Sequence, residues 1–196
     1  EAVQAAGSLS PSRAADFMSC PLKYRFRVVD RLEEAPSPVA TRGTLVHAVL
    51  ERLFDLPASE RTVETAIAMV EPEWERLLTQ EPELSALFAG AQAVELDTWL
   101  ASAQPLLETY FEMEDPTHLE PAAREIRLSH VMAGVEVADA EFEAVELRGI
   151  VDRLDVSAAG ALRVVDYKTG RAPGEGFESS ALFQMTFYSL LLLRTR

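Results

Sequence analysis

The sequence predicts an α/β (α+β) chain, and three observations carry that expectation. Helical periodicity dominates the first 115 residues. Three alternating, β-branched stretches follow, separated by turn residues, and one amphipathic helix closes the chain. Neither an internal repeat nor a low-complexity tract interrupts this order.

Ser10-Pro11 has the form of an N-cap with proline at the first helical position, which opens a short helix through Met18. Cys20-Pro21 interrupts it, and residues 22–29 resume as helix. Pro36 and Pro38 mark a loop. Residues 41–54 form an amphipathic helix with Leu45, Val49, Leu50, Leu53 and Phe54 on or near one face. Pro57 ends it, and Thr62 caps a helix running to about Leu78, with Ile67, Val70, Trp74 and Leu77 at helical spacing. A further helix over 91–112 stops before Pro116, with a kink at Pro105. The pattern then changes to strands over 122–131, 145–156 and 162–167. Gly134 and Ala158-Ala159-Gly160 are the turn signals between them. The last helix spans 179–193.

A chain of 196 residues with 48% hydrophobic and 26% charged residues is long enough, and apolar enough, to build a real core. The longest apolar run near the end, Leu190 to Leu193, is far too short to cross a bilayer, so no membrane partner is expected. No basic segment followed by an apolar stretch opens the sequence, and no initiator methionine is present, so it reads as a fragment or a processed chain. The one cysteine, Cys20, cannot make an internal disulfide and fits a cytoplasmic setting.

Net charge is −14, which disfavours contact with phosphates, but it is unevenly spread. Residues 1–50 carry 6 basic and 5 acidic side chains, residues 51–146 carry 5 and 22, and residues 147–196 carry 7 and 5. The two ends are therefore mildly basic, and local field governs ligand steering more than net charge does.

The chemistry concentrates in residues 147–170, LRGIVDRLDVSAAGALRVVDYKTG. Two strands joined by a small turn carry Asp152 and Asp166, each directly after an apolar β-branched pair. A carboxylate there is costly without a cation. Lys168, two residues beyond Asp166, points to the same face of an extended chain. Two carboxylates and the Tyr167 backbone carbonyl suit Mg²⁺ or Mn²⁺, which prefer oxygen ligands. Lys168 would orient or deprotonate a water, or offset charge on a phosphate. The plain alternative is a solvated surface pair of little energetic weight. The apolar residues before both acids argue against it.

GIVDRLD followed by VVDYKTG resembles the core of the PD-(D/E)XK nucleases, in its RecB-type branch. That branch holds helicase-associated nuclease domains, stand-alone exonucleases and nucleases of CRISPR spacer acquisition. The resemblance implies a restriction-endonuclease-like core, a central mixed sheet flanked by helices. It also implies catalytic roles for Asp152, Asp166 and Lys168. RGTLVHAVLE, residues 42–51, resembles the branch's GxxxHxxLE helix, which makes His47 a metal ligand beside Asp152, Asp166 and the Tyr167 carbonyl. Taken alone, His47 reads as a solvated or satisfied histidine. Glu51 would bond His47 or the metal's waters, or is an ordinary helix charge. Gln184 and Tyr188 match a QxxxY motif and would reach a phosphate or an unstacked base; otherwise they are a surface amide and an interfacial aromatic. Glu125 resembles an acid that many relatives carry at the start of the first strand, though an exposed strand acid fits equally.

Residues 9–26 resemble the N-terminal segment of iron–sulfur members, which makes Cys20 a candidate ligand of a [4Fe–4S] cluster whose other cysteines lie outside this sequence. Cys20 is otherwise a small core hydrophobe. Lys23, Arg25, Arg27 and Arg31 either track a DNA backbone or form a solvated helix face. The resemblance covers about 9–51 and 122–194, while 56–115 match nothing specific and read as helical filler or a gate. Residues 1–196 are accordingly expected to be a single nuclease domain, 9–115 mostly helical and 118–196 the catalytic core. The expected activity is metal-dependent exonuclease action on DNA ends or single strands in repair or recombination, alone or beside a helicase subunit. A degenerate nuclease fold that binds nucleic acid or a helicase without catalysis is the alternative.

Overall fold

The structure, a computed structural model, describes residues 7–89, 93–137, 140–170 and 178–195. The N-terminal signals act locally as expected. Ser10 accepts from the Arg13 amide and opens α1 (Pro11–Ser19), and α2 (Pro21–Tyr24) runs into a π-helical turn at Arg25–Val29. The long helix, α3 (Pro38–Leu53), starts earlier than its apolar stripe implied. Ser37 caps it and Pro38 takes the first turn, where a missing N–H costs nothing. Leu45, Val49, Leu50 and Leu53 form its buried stripe.

Two expected long helices are each broken in two. The first becomes α4 (Val63–Ala68) and α5 (Val70–Gln80), because Pro72 lies where α4 would have continued and can donate no hydrogen bond. The second becomes α6 (Leu96–Ala101) and α7 (Gln104–Met113), with Pro105 in the first turn of α7 rather than at a kink. A 3₁₀ stretch, Pro82–Phe88, precedes them. Trp74, Phe88 and Trp99 meet edge to face, with ring centroids 4.9–5.4 Å apart. Residues 56–115 thus join α3 in a core of their own.

Strand β1 (Ser8–Leu9) is too short to be visible in the sequence. It pairs parallel to β3 (Ala140–Val156), which pairs antiparallel with β2 (Ala123–Val137) and β4 (Leu162–Val165). Gly134 is not a turn. It sits inside β2 at φ 62°, with the same register on either side, because glycine takes that conformation without leaving the ladder. Gly160, at φ 79°, does close the β3–β4 turn. β2 bonds one edge of β3 along its length, so β1 and β4 divide the other edge and leave residues 148–152 between them. This is the predicted class, a four-stranded mixed sheet flanked by helices.

Helix α8 (Glu178–Thr195) covers one face of the sheet through Phe187, Tyr188, Leu191 and Leu192. Gly149 permits that approach: a Cβ there would lie 2.8 Å from the Tyr188 ring. The other face meets α3 and α7. Among the described residues no helix is long and apolar enough to cross a membrane.

Candidate metal centre

The pleat changes where the acids sit. On β3, Val151 and Leu154 join the α8 core, while Asp152 meets His47 of α3 and Arg153 meets Tyr110 of α7. On β2, Ala123 and Ile126 join the α8 core, while Arg124 bonds the Glu51 carbonyl and Asp55 on the α3 side. Glu125 turns to that side as well. Two successive residues of each strand therefore leave the α8 face, and Glu125 carries the distortion with φ 45°, a conformation an L-residue rarely adopts.

The β2–β3 register sets Glu125 opposite Asp152, and ligand atoms of His47, Glu125 and Asp152 lie within 4.8 Å of one another. Tyr167 organises two of the three. Its amide donates to Asp152 Oδ2 at 2.6 Å, and its carbonyl lies 2.9 Å from His47 Nε2. A carbonyl can only accept, so Nε2 carries a proton, and Nδ1 faces Asp152 Oδ2, 3.6 Å away. The expected carbonyl ligand is thus already engaged once, with its second lone pair remaining. The same bonds explain why β4 stops at Val165 rather than at Tyr167: the Tyr167 backbone serves side chains instead of the ladder.

Asp166 and Lys168 form an adjacent group. Lys168 Nζ pairs with Asp166 Oδ2, as the i, i+2 spacing predicts. Gln184 donates to Asp166 Oδ1 at 2.7 Å and to the Tyr188 hydroxyl at 2.9 Å, and accepts from Lys168 at 3.0 Å. Gln184 and Tyr188 do share a helix face, but the Tyr188 ring is 5% exposed, packed on Gly149. It offers no open platform for a base; only its hydroxyl reaches the group. Burial raises its pKa.

The electrostatics of the first group run against its acids. Burial pushes Glu125 up to about 7, and the charges of Asp152 and Glu51 add to the shift. Burial also raises Asp152, with the Asp166 carboxylate contributing, against lowering by His47, the Tyr167 amide and Lys168. The cations nearby do not offset the burial of Glu125 and Asp152, and hard oxygens beside one imidazole are a donor set that a divalent cation fits. The Glu51 charge adds to the raising of Glu125, while its backbone carbonyl accepts from Arg124.

Sequence reasoning missed Arg153. Its side chain is fully buried, its Nη1 lies 3.1 Å from the Tyr167 hydroxyl, and its guanidinium carbon lies 5.3 Å from the Phe54 ring and 5.9 Å from the Tyr167 ring. Glu114, which caps the C-terminus of α7, accepts from both terminal nitrogens, and Asp155 accepts from Nε at 3.0 Å. Arg153 thereby ties the ring end of Tyr167 to α7. The available signal was an arginine inside the apolar run GIVDRLDV. Tyr110 and Glu114, near the end of the 56–115 stretch, hold the segment that carries Asp166 and Lys168.

The other candidates separate. Cys20 is exposed, which removes its reading as a core hydrophobe. Lys23 and Arg27 pair with Asp16, and Arg25 pairs with Asp30, so these cations are neutralised locally rather than presented as a row. Arg31 takes a left-handed backbone, φ 52°, after the π turn.

A family model of the PD-(D/E)XK nuclease superfamily matches residues 8–196. No curated protein matches the chain. The four-stranded mixed sheet flanked by helices is consistent with the restriction-endonuclease-like core of that superfamily.

Proposed function

The chain belongs to the PD-(D/E)XK nuclease superfamily, and on that premise we propose that it is a Mg²⁺- or Mn²⁺-dependent deoxyribonuclease of the RecB type. Its substrate is DNA ends or single strands, its setting repair or recombination in the cytoplasm, and a helicase subunit is its fitting partner. The observation that carries the reading is the convergence of His47, Glu125 and Asp152, with Asp166 and Lys168 alongside.

His47, Glu125 and Asp152 would hold the ion, with Asp166 and the second lone pair of the Tyr167 carbonyl as further oxygen donors. A bound divalent cation polarises a phosphodiester and lowers the pKa of water. The protein's own residues supply the order around it. Tyr167 orients the His47 ring and the Asp152 carboxylate. Asp166 and Gln184 hold the Lys168 ammonium, which is 62% exposed and so able to meet a phosphate oxygen or a reacting water. Tyr188 steadies Gln184. Hydrolysis adds water across the P–O bond, and a group near Lys168 takes or returns the proton.

A [4Fe–4S] cluster needs four thiolates, and this sequence has one cysteine, so its residues do not fit that group and no step runs through it. Asp166→Ala is the decisive test. Divalent-dependent cleavage of a single-stranded oligonucleotide should fall below detection, while thermal unfolding and DNA binding remain close to wild type. Surviving cleavage, or no cleavage by the wild type with either ion, would turn the reading toward a non-catalytic nucleic-acid or helicase-binding module.

A further inference from the structure

Beside the metal centre lies a cleft of about 700 Å³ that opens where β1 and β4 leave the β3 edge free. Lys168 and Gln184 line one end and α1 the other. Its floor is the β2–β3 ribbon, whose register places Glu125 opposite Asp152, Arg127 opposite Ile150 and Ser129 opposite Arg148. Leu128 and Val151, the intervening residues, belong to the α8 core. Arg127 and Arg148 therefore share the face of Glu125 and Asp152 and step away from them. Successive same-face positions are about 7 Å apart along a strand, of the order of the repeat in an extended nucleic-acid backbone.

A second observation points to an anion at the far end. Arg13 of α1 and Arg148 of β3 both donate to one neutral oxygen, Ser8 Oγ, at 2.5 Å for Arg13. Arg13 also reaches the Ser8 carbonyl at 3.0 Å. The carboxylate beside them is Glu146, 3.6 Å from Arg148 Nε. Two guanidiniums meeting on a hydroxyl repel one another, and a phosphate oxygen would relieve that repulsion. On the opposite side of the centre the charge reverses. There a second cleft of about 680 Å³ is lined by His47, Glu51, Glu81 and Glu125, and Arg127 stands at the junction.

We propose that Arg127, Arg148 and Arg13 form a phosphate-binding row that holds the substrate strand on one side of the cleaved bond only. This rests on the nuclease reading above and adds the path of the strand. Phosphates on the basic side are held in succession, and the acidic side holds none, so the enzyme engages a strand from one flank.

The test uses the whole chain and single-stranded oligonucleotides that carry one uncharged methylphosphonate linkage at successive positions. Binding is measured across a salt series with Ca²⁺, and cleavage with Mn²⁺. Each of Arg13→Gln, Arg127→Gln and Arg148→Gln should lower the slope of log K against log salt by about 0.7. Uncharged linkages should weaken wild-type binding on one flank of the cut alone, and add no further loss in the variant lacking the matching arginine. Unchanged slopes in all three variants, or equal effects on both flanks, overturn the row. A wild type that never cuts, with slopes that still fall, sinks the nuclease reading and keeps the row.

Discussion

Tyr167 stands between two groups of buried or half-buried acids that are neutralised in opposite ways. On its ring side, Glu114 and Asp155 surround the Arg153 guanidinium, and Arg163 reaches both. Burial pushes Glu114 up, but the hydrogen bond and charge of Arg153 outweigh it and its pKa ends lowered. On its backbone side, Glu125 and Asp152 face an imidazole and one another, and burial leaves both raised. The same residue type, at similar depth, is finished in one place and wanting a cation in the other. The first group is an anchor whose charges are all covalently present. The second has the donors without the charge, which is the signature of a site for something that arrives from solution.

The sharpest way to break this contrast is to remove the cation the anchor already owns. Arg153→Met should cost about 2–4 kcal/mol in chemical denaturation, since it leaves the half-buried Glu114 and Asp155 to Arg163 alone. It should also weaken Mn²⁺ binding about 10–100-fold through the loosened Tyr167. Unchanged metal affinity in a folded variant would show that the anchor does not position the centre.

Acidity probes the other group. Glu125 is raised from its ordinary 4.5 to about 7, so between those values the folded protein holds a proton that the unfolded chain releases. In EDTA the melting temperature should therefore fall as pH rises from about 4.5 to 7 and level off above, with Asp152 acting in the same direction. Mg²⁺ or Mn²⁺ should flatten that fall, and so should Glu125→Gln. A metal-free melting temperature that climbs across the same window would contradict the assignment of Glu125 to the unneutralised group.

The smallest effect is expected at the edge of the site. Tyr188→Phe removes the hydroxyl 2.9 Å from Gln184 and keeps the ring against Gly149, so stability should change by about 0.5–1.5 kcal/mol. Cleavage should slow modestly, with Asp166 and Lys168 still joined. A loss as complete as that of Asp166→Ala would give the hydroxyl a part in the chemistry itself.

Much of this centre was legible because its residues lie in short, regular stretches. GIVDRLD and VVDYKTG declare two strands with an acid behind each apolar pair, and RGTLVHAVLE declares a helix with His47 on it. The succession of strands β2 to β4 along the chain and the closing helix follow from periods of two and 3.6 residues. The breaks after Ala68 and Ala101 were obscured because apolar residues keep helical spacing across them while Pro72 and Pro105 restart the backbone.

What the sequence by itself determined was local: which segments are helix or strand, and which side chains could bind a hard cation. Between the two readings of Glu125, as a site acid or an exposed strand acid, the tertiary structure decided, because the strand register sets it opposite Asp152 and beside His47. It also decided that Arg153 is a buried strut rather than a surface charge, because its partners come from residues 39 and 43 positions away. Periodicity records neighbours along the chain, while the neutralisation of a buried charge depends on neighbours in space.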